Sequence, residues 1–79
     1  MNSLIQNPDF DLMEALAQLE HDQWLHWSQT VAAQVDEATR KKWQGSWVPY
    51  SALPEAMKEV DRFWARQVTG LLRERKLIP

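Results

Sequence analysis

Apolar side chains recur at every third or fourth position over two long segments of the chain, which is the spacing of an amphipathic helix. The first segment runs from Asp11, a possible N-cap, to about Gln34, and the second from about Pro54 to Lys76. In the second segment we expect the inward stripe to be Met57, Val60, Trp64, Val68 and Leu71, with Phe63 and Leu72 beside it. The pattern predicts two long antiparallel helices that bury Trp24 and Trp64 where they meet.

The segment between the two helices carries turn signals and aromatic residues. Asp36 can cap a short helix over Glu37–Gln44, and Gly45 is placed to end that helix. Residues 46–53 then form an aromatic loop that two prolines restrict. The fold class predicted is therefore mostly α, with a short connecting helix and an ordered, proline-bounded loop.

Length and composition indicate a single small domain. The 79 residues contain five tryptophans and no cysteine, so large aromatic rings rather than disulfides must stabilise the core. We expect one domain over residues 1–79, in which residues 1–8 form a loose N-terminal arm. No long uncharged run or basic leader is evident, so we expect a cytoplasmic protein without a membrane span.

Charge is distributed unevenly along the chain. Residues 1–37 contain seven acids and no Lys or Arg, whereas residues 38–79 contain nine bases and four acids. The two halves could pack with complementary charge, or the basic half could face an anionic ligand. A pI of about 5.6 argues against binding of duplex nucleic acid.

Residue types for catalysis are not arranged in a recognisable way. His21 and His26 are five residues apart, which places them on different sides of a helix and disfavours a metal pair. No Ser-His-Asp arrangement, cysteine nucleophile or glycine-rich phosphate loop is present. We therefore expect a non-catalytic protein without metal or cofactor.

A ligand site is the sharper expectation from the second half of the chain. Rings near the loop could stack on a planar base, and cations in the last helix could bind phosphate. With His21 and Asp61, the candidate residues are Trp43, Trp47, Tyr50, Lys58 and Arg62. The alternatives are a solvated basic face, cations paired with Glu55, Glu59 and the acidic first helix, and a hydrogen-bonded packing role for His21.

Two motifs resemble the ryanodine-receptor repeat family, the RyR domain. The first is V-P-Y-x-x-L-P-E-x-x-K-E-x-D-R over residues 48–62, and the second is E-H-x-x-W over residues 20–24. The resemblance covers about residues 14–72 and implies two long helices around a connecting segment. The family's G-W-x-Y-G segment and longer strand-like connection are missing, and Arg40–Trp47 stand in their place.

The resemblance implies a function that composition does not. Prokaryotic RyR-like proteins are thought to recognise nucleotide-derived ligands, so we expect binding of an ADP-ribose-like or cyclic-nucleotide signal. A free-standing 79-residue binder would fit a phage or prophage protein that sequesters an antiviral messenger in a bacterial host cell. The alternative is a protein-interaction module with exposed aromatics. A wide apolar face on the first helix also predicts a homo-oligomer.

Overall fold

Three α-helices make up most of the computed structural model, which describes residues 8–79. α1 spans Pro8–Thr30, α2 spans Glu37–Gln44 and α3 spans Glu55–Glu74. Single 3₁₀ turns lie at Ala32–Gln34 and Tyr50–Ala52, and no strand occurs in residues 8–79. The mostly α fold class is confirmed. The expected arm lies outside the described residues, except that Pro8 already belongs to α1.

The long helices α1 and α3 meet through small side chains. Ala17 on α1 and Ala65 on α3 are fully buried, and Tyr50 and Leu53 of the connecting segment complete the core with them. Met13, Leu16 and Val48 pack against this cluster. Because alanine adds almost no bulk, the two helix backbones can approach closely, and the turn at residues 50–53 covers the junction.

The predicted inward stripe of α3 is wrong. Trp64 is 55% exposed, and Met57, Val60, Phe63 and Leu71 are also exposed. Of the predicted positions, Val68 and Leu72 are partly buried, as is Trp24 on α1. The contact face of α3 carries Asp61, Arg62, Ala65 and Thr69, so the strongest apolar stripe of this helix lies beside the contact with α1 rather than in it.

The connecting segment is fixed by hydrogen bonds to α1. The imidazole Nε2 of His21 lies 2.6 Å from the Val48 carbonyl oxygen, and the indole N–H of Trp47 donates to the Ser28 hydroxyl at 3.0 Å. His21 and Ser28 are both buried, so each bond is shielded from water. This segment therefore holds a defined position on α1. No helix within residues 8–79 has the length and apolar character needed to cross a membrane.

Candidate functional site

Three of the predicted ligand residues meet around one carboxylate of α1. Arg62 donates from Nε and Nη2 to the two carboxylate oxygens of Glu14, and the hydroxyl of Tyr50 donates to Glu14 Oε1 at 3.0 Å. The Nζ of Lys58 lies 5.5 Å from the centre of the Tyr50 ring, within cation–π distance. Tyr50, Lys58 and Arg62 converge here as predicted, but the Tyr50 hydroxyl and the Arg62 guanidinium already donate hydrogen bonds to Glu14.

The hydrogen bonds of this cluster favour ionised carboxylates and a protonated Tyr50 hydroxyl. The hydrogen bonds from Arg62 lower the pKa of Glu14 below its ordinary value. Burial, together with the hydrogen bond to Glu14, raises the pKa of Tyr50 to about 12, so its hydroxyl stays a donor. A third hydrogen bond from Arg62, at 2.9 Å, reaches Glu55 and lowers the pKa of that carboxyl as well. This cluster joins α1, the loop and α3, which gives it a structural role.

Trp43 and Trp47, two further predicted residues, pack against α1 and are partly buried. The Trp43 ring lies 6.2 Å from Trp24 in an edge-to-face arrangement and 5.6 Å from Trp27. Such pairs stabilise by about 0.5–1.5 kcal/mol beyond the area that they bury. Trp27 is half-exposed, so this aromatic cluster reaches the surface.

The last two predicted residues, His21 and Asp61, line an open groove between α1 and α3. The groove has a volume of about 270 Å³. Trp24 and Trp64 lie on its walls, and Trp24 stacks on the ring of His21 with 5.8 Å between the ring centres. The full lining is Glu20, His21, Trp24, Ser46, Leu53, Met57, Val60, Asp61 and Trp64. A concave space with indole walls and a few polar groups is the usual form of a small-ligand site.

Electrostatics in the groove are set by carboxylates. Oδ2 of Asp61 lies 4.0 Å from Nδ1 of His21, which is too long for a hydrogen bond. Burial raises the pKa of Asp61, and attraction to His21 only partly opposes that shift. Among residues 8–79, no Lys or Arg lines the groove. The structure thus separates the predicted residues into three places: the Glu14 cluster with its cations, the tryptophans packed on α1, and the groove with its carboxylates.

Sequence reasoning missed Glu14 as the centre of the cation cluster, and it missed Trp24 and Trp64 as walls of the groove. One signal was available: Glu14 and His21 are seven residues apart, so they share a face of α1. For Trp64 the sequence pointed the wrong way, because a large aromatic ring on an apolar stripe usually lies in the core. That rule fails here since Ala65 occupies the contact.

The two sequence motifs are physically connected in the fold. His21 of the first motif is hydrogen-bonded to Val48 of the second, and it faces Asp61 of the second across the groove. Each motif therefore constrains the other, which is a structural reason for their occurrence in one chain. A comparison with protein-family models, curated proteins and solved structures finds no match to this chain, so its resemblance to the RyR domain stays a prediction.

Proposed function

We propose that this chain is a non-catalytic protein-interaction module that binds a second copy of itself through α3. The observation behind this proposal is the outer face of α3, which we define as Met57, Val60, Phe63, Trp64 and Leu71. Each of these side chains is 42–58% exposed. Together they leave on the order of 500 Å² of apolar surface open to water, about the largest patch found on typical monomers.

A glycine on the same helix supports close approach by another molecule. Gly70 follows Phe63 by seven residues and therefore lies on the same side of α3. A β-carbon at Gly70 would meet no atom within 4 Å, so packing within the described chain does not require glycine here. Glycine costs about 1 kcal/mol relative to alanine inside a helix. A second backbone or ring lying against Gly70 would give this residue a role.

Charge along α3 favours an antiparallel pair. The first two turns of α3 carry Glu55 and Glu59, which also pair with Arg62 of the same helix. The other end carries three bases and one acid, which are Arg73, Arg75, Lys76 and Glu74. An antiparallel pair sets the acidic end of each copy against the basic end of the other, whereas a parallel pair sets like charges together.

The antiparallel pair also matches the apolar positions by two-fold symmetry. Val60 of one copy lies near Leu71 of the other, and Phe63 lies near Gly70. Two copies would bury about 1,000 Å² of apolar surface in this way, near the lower limit for a specific interface. The expected dimer is therefore of moderate affinity and depends on concentration.

Sedimentation equilibrium tests the proposal directly. At high micromolar concentration we expect the parent chain to reach twice its 9.3 kDa monomer mass, and Trp64→Glu to remain a monomer because it places a charge at the centre of the outer face. Leu19→Glu is the matched control, since Leu19 is 61% exposed but lies on α1 away from this face. A parent chain that stays at 9.3 kDa over the whole range would refute the proposal.

Gly70→Ala should act with opposite signs on folding and on association. In the single copy we expect it to stabilise α3 by about 0.5–1 kcal/mol, because alanine is the better helix former and the site is open. In the dimer the added methyl group meets the Phe63 ring and should weaken association by about 1–3 kcal/mol. Urea denaturation at low concentration and sedimentation at high concentration separate the two effects. An unchanged association constant would exclude this register.

Binding of a small nucleotide-derived ligand is a second candidate function, favoured by the two indole rings that flank the groove. A base between Trp24 and Trp64 would gain about 1–3 kcal/mol by stacking. The resemblance to the RyR domain supports an ADP-ribose-like or cyclic-nucleotide ligand, and sequestration of such a messenger would suit a phage protein. Binding of the ligand's phosphates by Arg62 has less support, because Arg62 already donates hydrogen bonds to Glu14 and Glu55. A thermal-shift screen with nucleotides and cyclic dinucleotides tests this candidate.

A further inference from the structure

The charged side chains that line the groove are hydrogen-bond acceptors, whereas Ser46 and the indole N–H groups of Trp24 and Trp64 can donate. Glu20 and Asp61 contribute carboxylates, which only accept when ionised. The Val48 carbonyl can only accept, so the 2.6 Å contact requires the proton of His21 to be on Nε2. In the neutral ring Nδ1 then keeps its lone pair and is a third acceptor.

Within residues 8–79, no side chain donates a hydrogen bond to Nδ1 of His21, and this atom is open to the groove rather than sealed from water. His21 is only 4% exposed, it lines the groove, and its Nδ1 is 4.0 Å from the nearest oxygen of Asp61. With the ring neutral, Nδ1 and the Asp61 carboxylate are two acceptors that face the same space, so one donor group placed between them could bond both. The raised pKa of Asp61 agrees with a carboxyl group that burial deprives of water.

We propose that the groove binds a planar cation with N–H donors, namely a guanidinium or amidinium group. The flat group would lie against Trp24 and Trp64, whose ring faces attract cations. Its N–H groups would point to Asp61, Glu20 and Nδ1 of His21, and its positive charge would compensate the two carboxylates. A phosphate or carboxylate ligand is disfavoured in this place, because the part of the chain that the structure describes lines the groove with no Lys or Arg.

Free small molecules and arginine side chains carry the same chemistry, so both sources need a probe. Benzamidine represents a small planar cation, with benzamide as the neutral analogue and benzoate as the anion. A short capped peptide, Gly-Arg-Gly, represents an arginine side chain. Binding is followed through the indole N–H signals of Trp24 and Trp64 in two-dimensional NMR spectra of the intact chain, at a concentration where it is monomeric.

We expect benzamidine to shift both indole signals. The affinity for benzamide should be lower by about tenfold or more, and benzoate should cause no shift. Asp61→Asn should weaken benzamidine by about tenfold or more, whereas Asp22→Asn, which removes an exposed carboxylate outside the groove, should not. If the peptide binds at least as tightly as benzamidine, the natural ligand is an arginine side chain, and if it binds more weakly, it is a free small molecule.

Three results would overturn the proposal. The first is that no cationic probe shifts either indole signal. The second is equal affinity of the chain for benzamidine and benzamide, and the third is an equal effect of Asp61→Asn and Asp22→Asn on the affinity for benzamidine. The first two are measured on the parent chain, so they stand even if a variant does not fold. Because binding is measured at a concentration where the chain is monomeric, these results do not depend on the proposed dimer, which sedimentation tests separately.

Discussion

Ala65→Leu is expected to lower the free energy of unfolding by about 1–3 kcal/mol, while Trp64→Ala, one residue earlier, changes it by less than about 1 kcal/mol. Ala65 is fully buried against α1, so a larger side chain must push the two helices apart or adopt a strained rotamer. Trp64 is 55% exposed, and in the single copy much of its surface faces water.

The pair reverses the usual expectation that removing tryptophan is the more damaging change. Urea denaturation measures the unfolding free energy of both variants. The protein concentration must be low enough to exclude self-association, because a dimer through Trp64 would stabilise the parent chain and exaggerate the loss in Trp64→Ala. Ala17→Leu on α1 is the companion variant, since Ala17 is equally buried, and a similar loss is expected. A stable, cooperatively folded Ala65→Leu chain with an unchanged midpoint would show that the helices do not meet at this residue.

Glu14→Gln is expected to destabilise the chain by about 1–3 kcal/mol at neutral pH, because it weakens the hydrogen bonds of Arg62 and Tyr50 to a common acceptor. Glu14 is a quarter exposed, so water compensates part of the loss. Glu37→Gln on α2 is the matched control. It removes an exposed carboxylate, and we expect a change within about 0.5 kcal/mol.

The loss should depend on pH in a definite direction. The pKa of Glu14 is lowered in the folded chain from an ordinary value of 4.5, so folding favours the ionised form. The stabilisation is complete above pH 4.5 or so and disappears as the pH falls through the lower pKa of the folded state. The difference in unfolding free energy between the parent chain and Glu14→Gln should therefore shrink in acid. A difference that stays constant from neutral pH to pH 3 or so would contradict the role assigned to Glu14.

Local sequence patterns predicted the elements of this fold well. The short helix Glu37–Gln44 has the bounds expected from Asp36 and Gly45, and α3 ends within two residues of its expected end. These features depend on caps, turns and periodicity, which act over a few residues. The periodicity did not show that residues 31–34 would leave the α-helix, so α1 ends at Thr30, earlier than expected.

The side of α3 that faces α1 could not be predicted from the same patterns. Apolar periodicity identifies a stripe but does not tell whether the partner is another helix of the chain or a separate molecule. Here a contact of two alanines and a bridge from Glu14 to Arg62, 48 residues later, determine the orientation. The same long-range bridge explains why Tyr50, Lys58 and Arg62 met as expected and yet are engaged with Glu14 and Glu55. Only the three-dimensional fold brings Glu14 to them.

Met57, Val60 and Trp64 belong both to the groove and to the outer face of α3. If both proposals hold, the two binding events compete for these side chains and are thermodynamically linked: the partner copy restricts access to the groove, and a bound cation disfavours the dimer. Apparent ligand affinity would then fall as the protein accumulates, because more of the chain is paired. The cellular concentration of the protein would thereby set its own sensitivity to the ligand, without any conformational change in the helices.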